Sequence, residues 1–455
     1  MRNQWTCALS LMCLVIASSP CLGQRGGPPA STEDGPLPVA VRWWGQSCIS
    51  VETFWGFTIV IDPYGQTERL TYPKLDLSAD VVLITHEHFD HAGFEAIQGK
   101  PTVFHGLNKD GNWADIDVYL DRPPNQADAK VLPKTEAGKP SPYAMHIQSI
   151  RAFHDAESGA KRGKNAMFLI ETDGVRILHC GDLGQPTLTD EQLTAIGPVD
   201  LLIIPVGGTF TVDAAAALAI VKQVKPRRWV WPIHFKTEAT VNLPLASRDA
   251  FIDRAKEAGM AVRQVKGNAI AIARLPASKA ADAPKPGVIV ADYKPVKPLE
   301  AVTQSLEAMR RDRQALIDAL GKVSKAQLDH KPSDKTHTIR WNFEHTTMIE
   351  LAGFSQMFHA VDAEVPVINW RPAQMPPDFK PRRPDWDTAE MVRQVKRVQG
   401  FVERFSYLLA ETPPEVEIEG TRFSLKSQSN RMIGHYKNHT TKAVKKFDLP
   451  DWPKG

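Results

Sequence analysis

Cysteine is scarce in this chain: there are five among 455 residues, and three of them, Cys7, Cys13 and Cys21, precede Gln24. Without that leading stretch only Cys48 and Cys180 remain, so at most one internal disulfide is available and a cysteine-stapled scaffold is excluded. Net charge is also low. The formal value is +3, and residues 1–23 carry only Arg2, which leaves +2 without them. No basic stripe stands out, so neither nucleic acid nor an anionic membrane is an expected partner. After residue 23 no run of 18 apolar residues occurs, which removes a helical membrane span from consideration. At 42% hydrophobic residues, the length allows two domains with full cores.

The first residues have the layout of a targeting segment. Met1-Arg2-Asn3-Gln4 carries one positive charge, Cys7 to Ser19 is apolar over a signal-peptide length, and Cys21-Leu22-Gly23 supplies small residues before Gln24. We read 1–23 as an export signal and 24–36, rich in Gly and Pro, as a linker. Pro20 breaks the segment as an anchor helix, and Ser18-Ser19-Pro20 lacks a lipobox pattern. The expected location is the periplasm or the extracellular space, where Cys48 and Cys180 can pair. Their spacing leaves that open, and Cys180 is also read as packed beneath Asp182.

The densest chemistry lies at Thr85-His86-Glu87-His88-Phe89-Asp90-His91, at the exit of the apolar run Val81-Val82-Leu83-Ile84. Three imidazoles and two carboxylates on one strand-to-loop turn point to a metal site, and donors facing both ways can serve two ions. Three further apolar runs end in metal-type side chains. Ile147 to Phe153 leads to His154, Val175 to Gly181 leads to Asp182, and Trp229 to Ile233 leads to His234. Four such strand ends predict one sheet edge where they converge.

In this order, with Asp62 ahead of the cluster, the chain resembles the metallo-β-lactamase fold superfamily. The stretches from His154-Asp155 to Gly163 and Gly181-Asp182-Leu183-Gly184 look most like its ascorbate-6-phosphate lactonase-like branch. The resemblance covers 37–275 and implies an α/β fold, an αββα sandwich. It implies one metal on His86, His88 and His154, a second on Asp90, His91 and His234, and Asp182 bridging them, so that Asp90 and Asp182 are the carboxylates closest to the catalysis. Asp62 would support the ligands from behind, and His179 is read as a hydrogen-bonding neighbour. True β-lactamases generally lack the bridging Asp, so Asp182 argues against antibiotic hydrolysis.

Around the site, Val39 to Val51 and Phe57 to Ile61 read as strands, Thr172-Asp173-Gly174 as a hairpin turn, Leu201 to Pro205 as a buried strand and Asp213 to Lys222 as a covering helix. Residues 106–143 are polar and form an insertion that either walls the site or runs over the surface. His105 and His146 are read as structural. Arg162, Lys164 and Lys236, close in sequence to His154 and His234, are candidates to receive an anionic substrate group.

Residues 276–297 turn Pro-, Ala- and Lys-rich and predict a linker. Apolar residues then recur at helical spacing: Val302, Leu306, Met309, Leu316 and Leu320; Ile349, Phe354 and Phe358; Met391, Val395, Val398, Val402 and Phe405; Met432, Tyr436, Ala443 and Phe447. This predicts an all-α four-helix bundle over 298–447. His435 and His439, at i and i+4, share one face with Met432 and Ala443. Together with Trp341 to His345 they make the region similar to the DinB-like four-helix family. That resemblance implies a further metal, zinc or nickel, on His345, His435 and His439, while His330, His337 and His359 are left as surface or core residues.

The expected function is an exported metal-dependent hydrolase that uses water held by two ions, zinc, manganese or iron, on a small ester, lactone or phosphoester. Two alternatives remain at this point: a thiol-dependent transferase or isomerase centred on the bundle, and a hydrolase whose bundle is a non-catalytic docking module. Oligomeric state is left open.

Overall fold

The computed structural model describes residues 36–121, 129–136, 138, 144–274, 285–333, 336–370 and 379–454. The expected export signal, the linker up to 35 and residues 275–284 lie outside the described residues.

In chain order the strands are β1 (Pro38–Gly45), β2 (Cys48–Glu52), β3 (Thr58–Ile61), β4 (Val81–Ile84), β5 (Thr102–His105), β6 (Asp117–Asp121), β7 (Lys130–Pro133), β8 (Met145–Phe153), β9 (Lys164–Thr172), β10 (Val175–His179), β11 (Leu201–Pro205), β12 (Trp229–Ile233), β13 (Val262–Gln264), β14 (Ala269–Ala273) and β15 (Gly287–Val290). The first sheet has the order β14-β1-β2-β3-β4-β5, and the second runs β13-β15-β12-β11-β10-β9-β8-β6-β7. Strand composition follows position. β4 lies between parallel β3 and β5, β11 lies between parallel β10 and β12, and every residue of β4 and β11 is buried. A strand covered on both faces has no place for alternating polar residues, which is why both read as unbroken apolar runs.

Helices α1 (Asp190–Ile196), α2 (Ala214–Val224) and α3 (Asp249–Glu257) accompany the second sheet. Asp213 caps α2 by accepting from Ala215 N and Ala216 N, and the helix buries Ala217, Ile220, Val221 and Val224. The β9–β10 turn has positive φ at both Asp173 (+50°) and Gly174 (+73°), the geometry of a primed hairpin turn.

Two expectations are corrected. The four ligand-bearing runs do not end at one sheet edge: β8, β10 and β12 belong to the second sheet and β4 to the first, so the site lies where the ends of two facing sheets meet. The stretch 276–297 is also more than a linker. Its Gly287-Val288-Ile289-Val290 is β15, paired in parallel with both β12 and β13. Flanking Pro, Ala and Lys hid a short apolar, β-branched strand. Gly287 is required there, because a Cβ would come within 2.4 Å of the Trp229 ring. The insertion 106–143 divides between the two alternatives: its first part lines a cavity beside the site, and β6 and β7 extend the edge of the second sheet.

The C-terminal region consists of α4 (Glu300–Leu320), short α5 (Lys325–Asp329), α6 (Ile339–Val361), α7 (Thr388–Phe405) and α8 (Leu425–Val444). Their apolar faces make one core, which also contains a buried Arg313–Glu350 ion pair joined by Tyr436. That core does not stop at the bundle. It takes in Ala40, Phe54, Trp55 and Ala271 from the first domain, with Ala40 and Ala271 paired across β1 and β14. Phe54 lies 5.5 Å from both Trp370 and Phe401, ring centre to ring centre. Polar ties frame the joint: Arg42 Nη2 donates to Arg404 O at 2.6 Å, Arg404 Nη2 donates to Phe54 O at 2.9 Å, and Arg263 pairs with Asp362 at 2.8 Å.

A chain truncated after residue 297 therefore exposes Phe54 and Trp55 together with the small-residue face of β1 and β14. We expect it to lose solubility and to melt lower than the same domain in the full chain. Comparing soluble yield and thermal midpoint checks this; an unchanged midpoint in a monodisperse fragment would contradict the shared core.

Candidate metal centre

At the end of β3 the chain turns sharply at Asp62, a non-glycine residue held at φ +49°. Such a conformation is costly and persists where the surroundings fix it. Here Asp62 Oδ1 accepts from Thr85 N at 2.8 Å, Oδ2 accepts from Thr85 Oγ1 at 2.8 Å, and His91 Nδ1 lies 2.9 Å from the same Oδ2. A ring held through Nδ1 turns its other nitrogen inward. His91 Nε2 is thereby placed 3.2 Å from Asp182 Oδ1 and 3.6 Å from Asp90 Oδ2.

The second sheet supplies the rest. His234, just after β12, is also left-handed at φ +50°, and its Nε2 lies 3.2 Å from Asp182 Oδ2 and 3.7 Å from Asp90 Oδ2. His154, after β8, brings Nε2 to 3.2 Å from Asp182 Oδ2, and His86 Nε2 lies 3.9 Å from that oxygen. Two groups of close donors result: His86, His88 and His154, and Asp90, His91, Asp182 and His234. All are buried except His88. His91 Nε2 has no hydrogen-bond partner although it is sealed from solvent. Burying four imidazoles and two carboxylates with an inward nitrogen left unsatisfied is costly unless a cation lies among them, so the donor set fits divalent metal.

Behind these donors the turn is fixed by neutral groups. Gln46 Nε2 donates to Asp90 Oδ2 at 2.9 Å, and Asp182 N donates to Asn165 Oδ1 at 3.1 Å. His179 is fully buried, 2.9 Å from Ser47 O through Nε2, and accepts from Gly181 N through Nδ1. Gly181, at φ +55°, has no room for a side chain: a Cβ would lie 2.5 Å from Asn165 Oδ1 and 2.8 Å from Thr85. Burial disfavours charge on Asp182, but the His234 and His91 rings outweigh it and hold the carboxyl well below its usual range. Desolvation likewise opposes charge on His234, which Asp182 nevertheless pushes up to about 9. Cys48 and Cys180 are both buried and free, with no disulfide between them.

In the bundle, the His345, His435 and His439 rings are 5.0–5.7 Å apart, centre to centre, and His345 stacks on Trp341 at 4.3 Å. His439 Nδ1 is 2.8 Å from Asn342 Oδ1 and His435 Nδ1 is 3.0 Å from Arg431 O. Desolvation and the two neighbouring imidazoles drive His439 down to about 3. His330 pairs with Asp451, His337 stacks on Trp341, and His359 bonds Val365 O.

The β-lactamase superfamily domain is matched over residues 40–234 and the DinB superfamily over 308–441. A UPF0173 metal-dependent hydrolase of Thermococcus onnurineus is 32% identical over 204 residues, which cover 44% of this chain and 85% of that protein. The chain belongs to this hydrolase family. Another member, from Cupriavidus necator, is 30% identical over 248 residues, covering 49% of this chain and 83% of its own. A solved Thermotoga maritima protein of the metallo-β-lactamase superfamily shares 25% identity with a TM-score of 0.37, over 56% of this chain and 98% of that one.

This metal-dependent hydrolase has a cavity of about 760 Å³ opening beside His86 and His88. Arg162 and Lys164 line it, whereas Lys236 is exposed and is not among the lining residues. Sequence reading also missed several neighbours. Gln46 and Ser47 sit in the β1–β2 turn with no local signal, and His105 and Lys109 line the cavity from β5 and from the insertion. His105 had one available signal: it ends a strand that follows the motif strand and, after a short crossover, lies parallel to it.

The loop joining His154 to Arg162 depends on one side chain. Asp155 is nearly inaccessible, and against the cost of that burial it accepts from the main-chain N–H groups of Glu157, Gly159, Lys161 and Arg162, which hold its carboxyl at about 2. Because the folded value lies below the ordinary one, its contribution is full above about pH 4 and fades as pH falls towards 2. We expect Asp155→Asn to cost about 1–3 kcal/mol at pH 7 and less at pH 3, as read from urea melts at both values. An equal cost at the two values would contradict the carboxylate's role.

Proposed function

We propose that this protein is an exported hydrolase that cleaves a small ester, lactone or phosphoester with water activated between two divalent ions, zinc, manganese or iron. The observation that carries this reading is the position of Asp182, whose two oxygens reach His91, His154 and His234 at 3.2 Å each. His86, His88 and His154 would hold one ion, Asp90, His91 and His234 would hold the other, and Asp182 would serve both. Ions bound there would supply an activated water and a Lewis acid for the scissile carbonyl or phosphoryl oxygen. The chain's own part is to fix the donors before substrate arrives. Asp62 orients His91, Gln46 orients Asp90, and Asn165 holds the turn that carries Asp182.

The cavity volume is in the range of small-molecule sites. Arg162 and Lys164 are ordered there by neutral acceptors, Thr209 O at 2.8 Å and Asn112 Oδ1 at 2.6 Å. Their charges are left for an anionic group on the substrate. A third ion, zinc or nickel, on His345, His435 and His439 belongs to the same proposal. It is supported by the Nδ1 bonds of His435 and His439, which reserve Nε2 on both rings.

Elemental analysis of the purified mature chain is expected to give about three metals per chain. Asp182→Ala should lose the first-domain pair together with hydrolysis while keeping its circular dichroism, and His435→Ala should lower the count by one. Full hydrolysis by Asp182→Ala would overturn the shared-carboxylate mechanism. Intact mass should place the start of the mature chain at or near Gln24; Met1 retained on a cytosolic protein would remove export from the proposal.

A further inference from the structure

Strands β4 and β5 run parallel in register, with Ile84 opposite His105, so both chains leave the sheet at the same edge. One continues into the metal-type cluster. The other ends on His105, whose Nδ1 lies 2.8 Å from Glu87 Oε1. Both side chains line the cavity with His86 and His88, and they are 39% and 50% exposed, which leaves them open to a bound molecule. Nε2 of His105 makes no hydrogen bond to the described residues.

Cleavage of an ester or phosphoester needs a proton for the departing oxygen, and few groups here can supply it. Asp90 and Asp182 are engaged with the surrounding imidazoles and with Gln46. Lys109, Arg162 and Lys164 line the same cavity, but lysine and arginine side chains generally hold their protons too tightly for efficient donation near neutrality. A histidine whose Nδ1–H is fixed by a carboxylate is the arrangement that transfers protons through Nε2.

We propose that His105 donates the proton to the leaving oxygen and that Glu87 is its positioning residue, an inference that rests on the hydrolase reading above. As the bond from carbon or phosphorus to the leaving oxygen breaks, its electron pair goes to that oxygen, which takes the proton from Nε2. The ring is left neutral with Nδ1–H on Glu87, and a solvent proton restores Nε2–H. The attacking water's own proton passes to solvent, so the sum is ester plus water giving acid plus alcohol.

The test uses the full metal-loaded chain and p-nitrophenyl, phenyl and ethyl esters of acetic acid and of methyl phosphate. His105→Ala and His105→Gln should slow the ethyl esters by about 10²–10⁴-fold, with the loss shrinking steadily towards the p-nitrophenyl esters, whose leaving group needs no proton. Glu87→Gln should give the same slope with a smaller loss, and metal per chain should stay at the wild-type value in all three. His146→Ala is the control, because His146 pairs with Asp117 at 2.6 Å but is not among the residues lining the cavity; its rates should not move. An equal loss across the leaving groups, or no loss, overturns the proton-donor role while leaving the hydrolase reading intact. Absence of hydrolysis of every ester by the wild-type chain overturns both.

Discussion

A carboxylate shut away from water must find its partners within the protein, and Asp182 finds them on both sheets. His154 and His234 reach it from the second sheet and His91 from the first, while its own main-chain N–H is taken by Asn165. The two sheets could pack face to face in several ways if only their apolar cores mattered. The polar cluster narrows the choice, because a shift of one strand end would leave a buried charge or ring nitrogen without a counterpart. The left-handed turns at Asp62 and His234 are part of the same arrangement, each aiming a side chain where an ordinary strand exit would not.

The bundle is joined to this unit by shared core more than by tether. Ala40 and Ala271 give a small-residue surface on the first sheet, and Phe54 and Trp55, just after β2, join the core of the helices. Aromatic rings from both regions interlock there, and guanidinium groups donate to the main-chain carbonyls of Phe54 and Arg404. Such a joint is closer to a domain interior than to a transient contact surface.

Much of this was legible in the chain itself. Metal-type residues at the ends of apolar runs pointed to side chains that the fold does bring together, because strand ends are where a side chain can leave the core without breaking the ladder. Helical periodicity marked the long helices for the same reason that they pack: one stripe of each must be covered. What escaped depended on partners distant in sequence. Nothing around Gly287 to Val290 told a four-residue strand from linker composition until β12 and β13 were beside it. The division of the ligand strands between two sheets is a property of pairing, which residue type does not encode. Gln46, Ser47 and His105 have ordinary local sequence and gain their place from the turn or the parallel neighbour that brings them to the site. Lys236 shows the reverse: it is near His234 in sequence but exposed and outside the cavity.

The β1–β2 hairpin touches both halves of the molecule. Its open end carries Arg42 and leads to Phe54 and Trp55 in the helical core, while its turn sets Gln46 against Asp90 and Ser47 within 3.5 Å of Asp182. Held at both ends, the hairpin links the helices to the two buried carboxylates. A change in how the helices seat on the first sheet can therefore reach Gln46 and Asp90 through this hairpin, although no described side chain of the bundle lines the cavity.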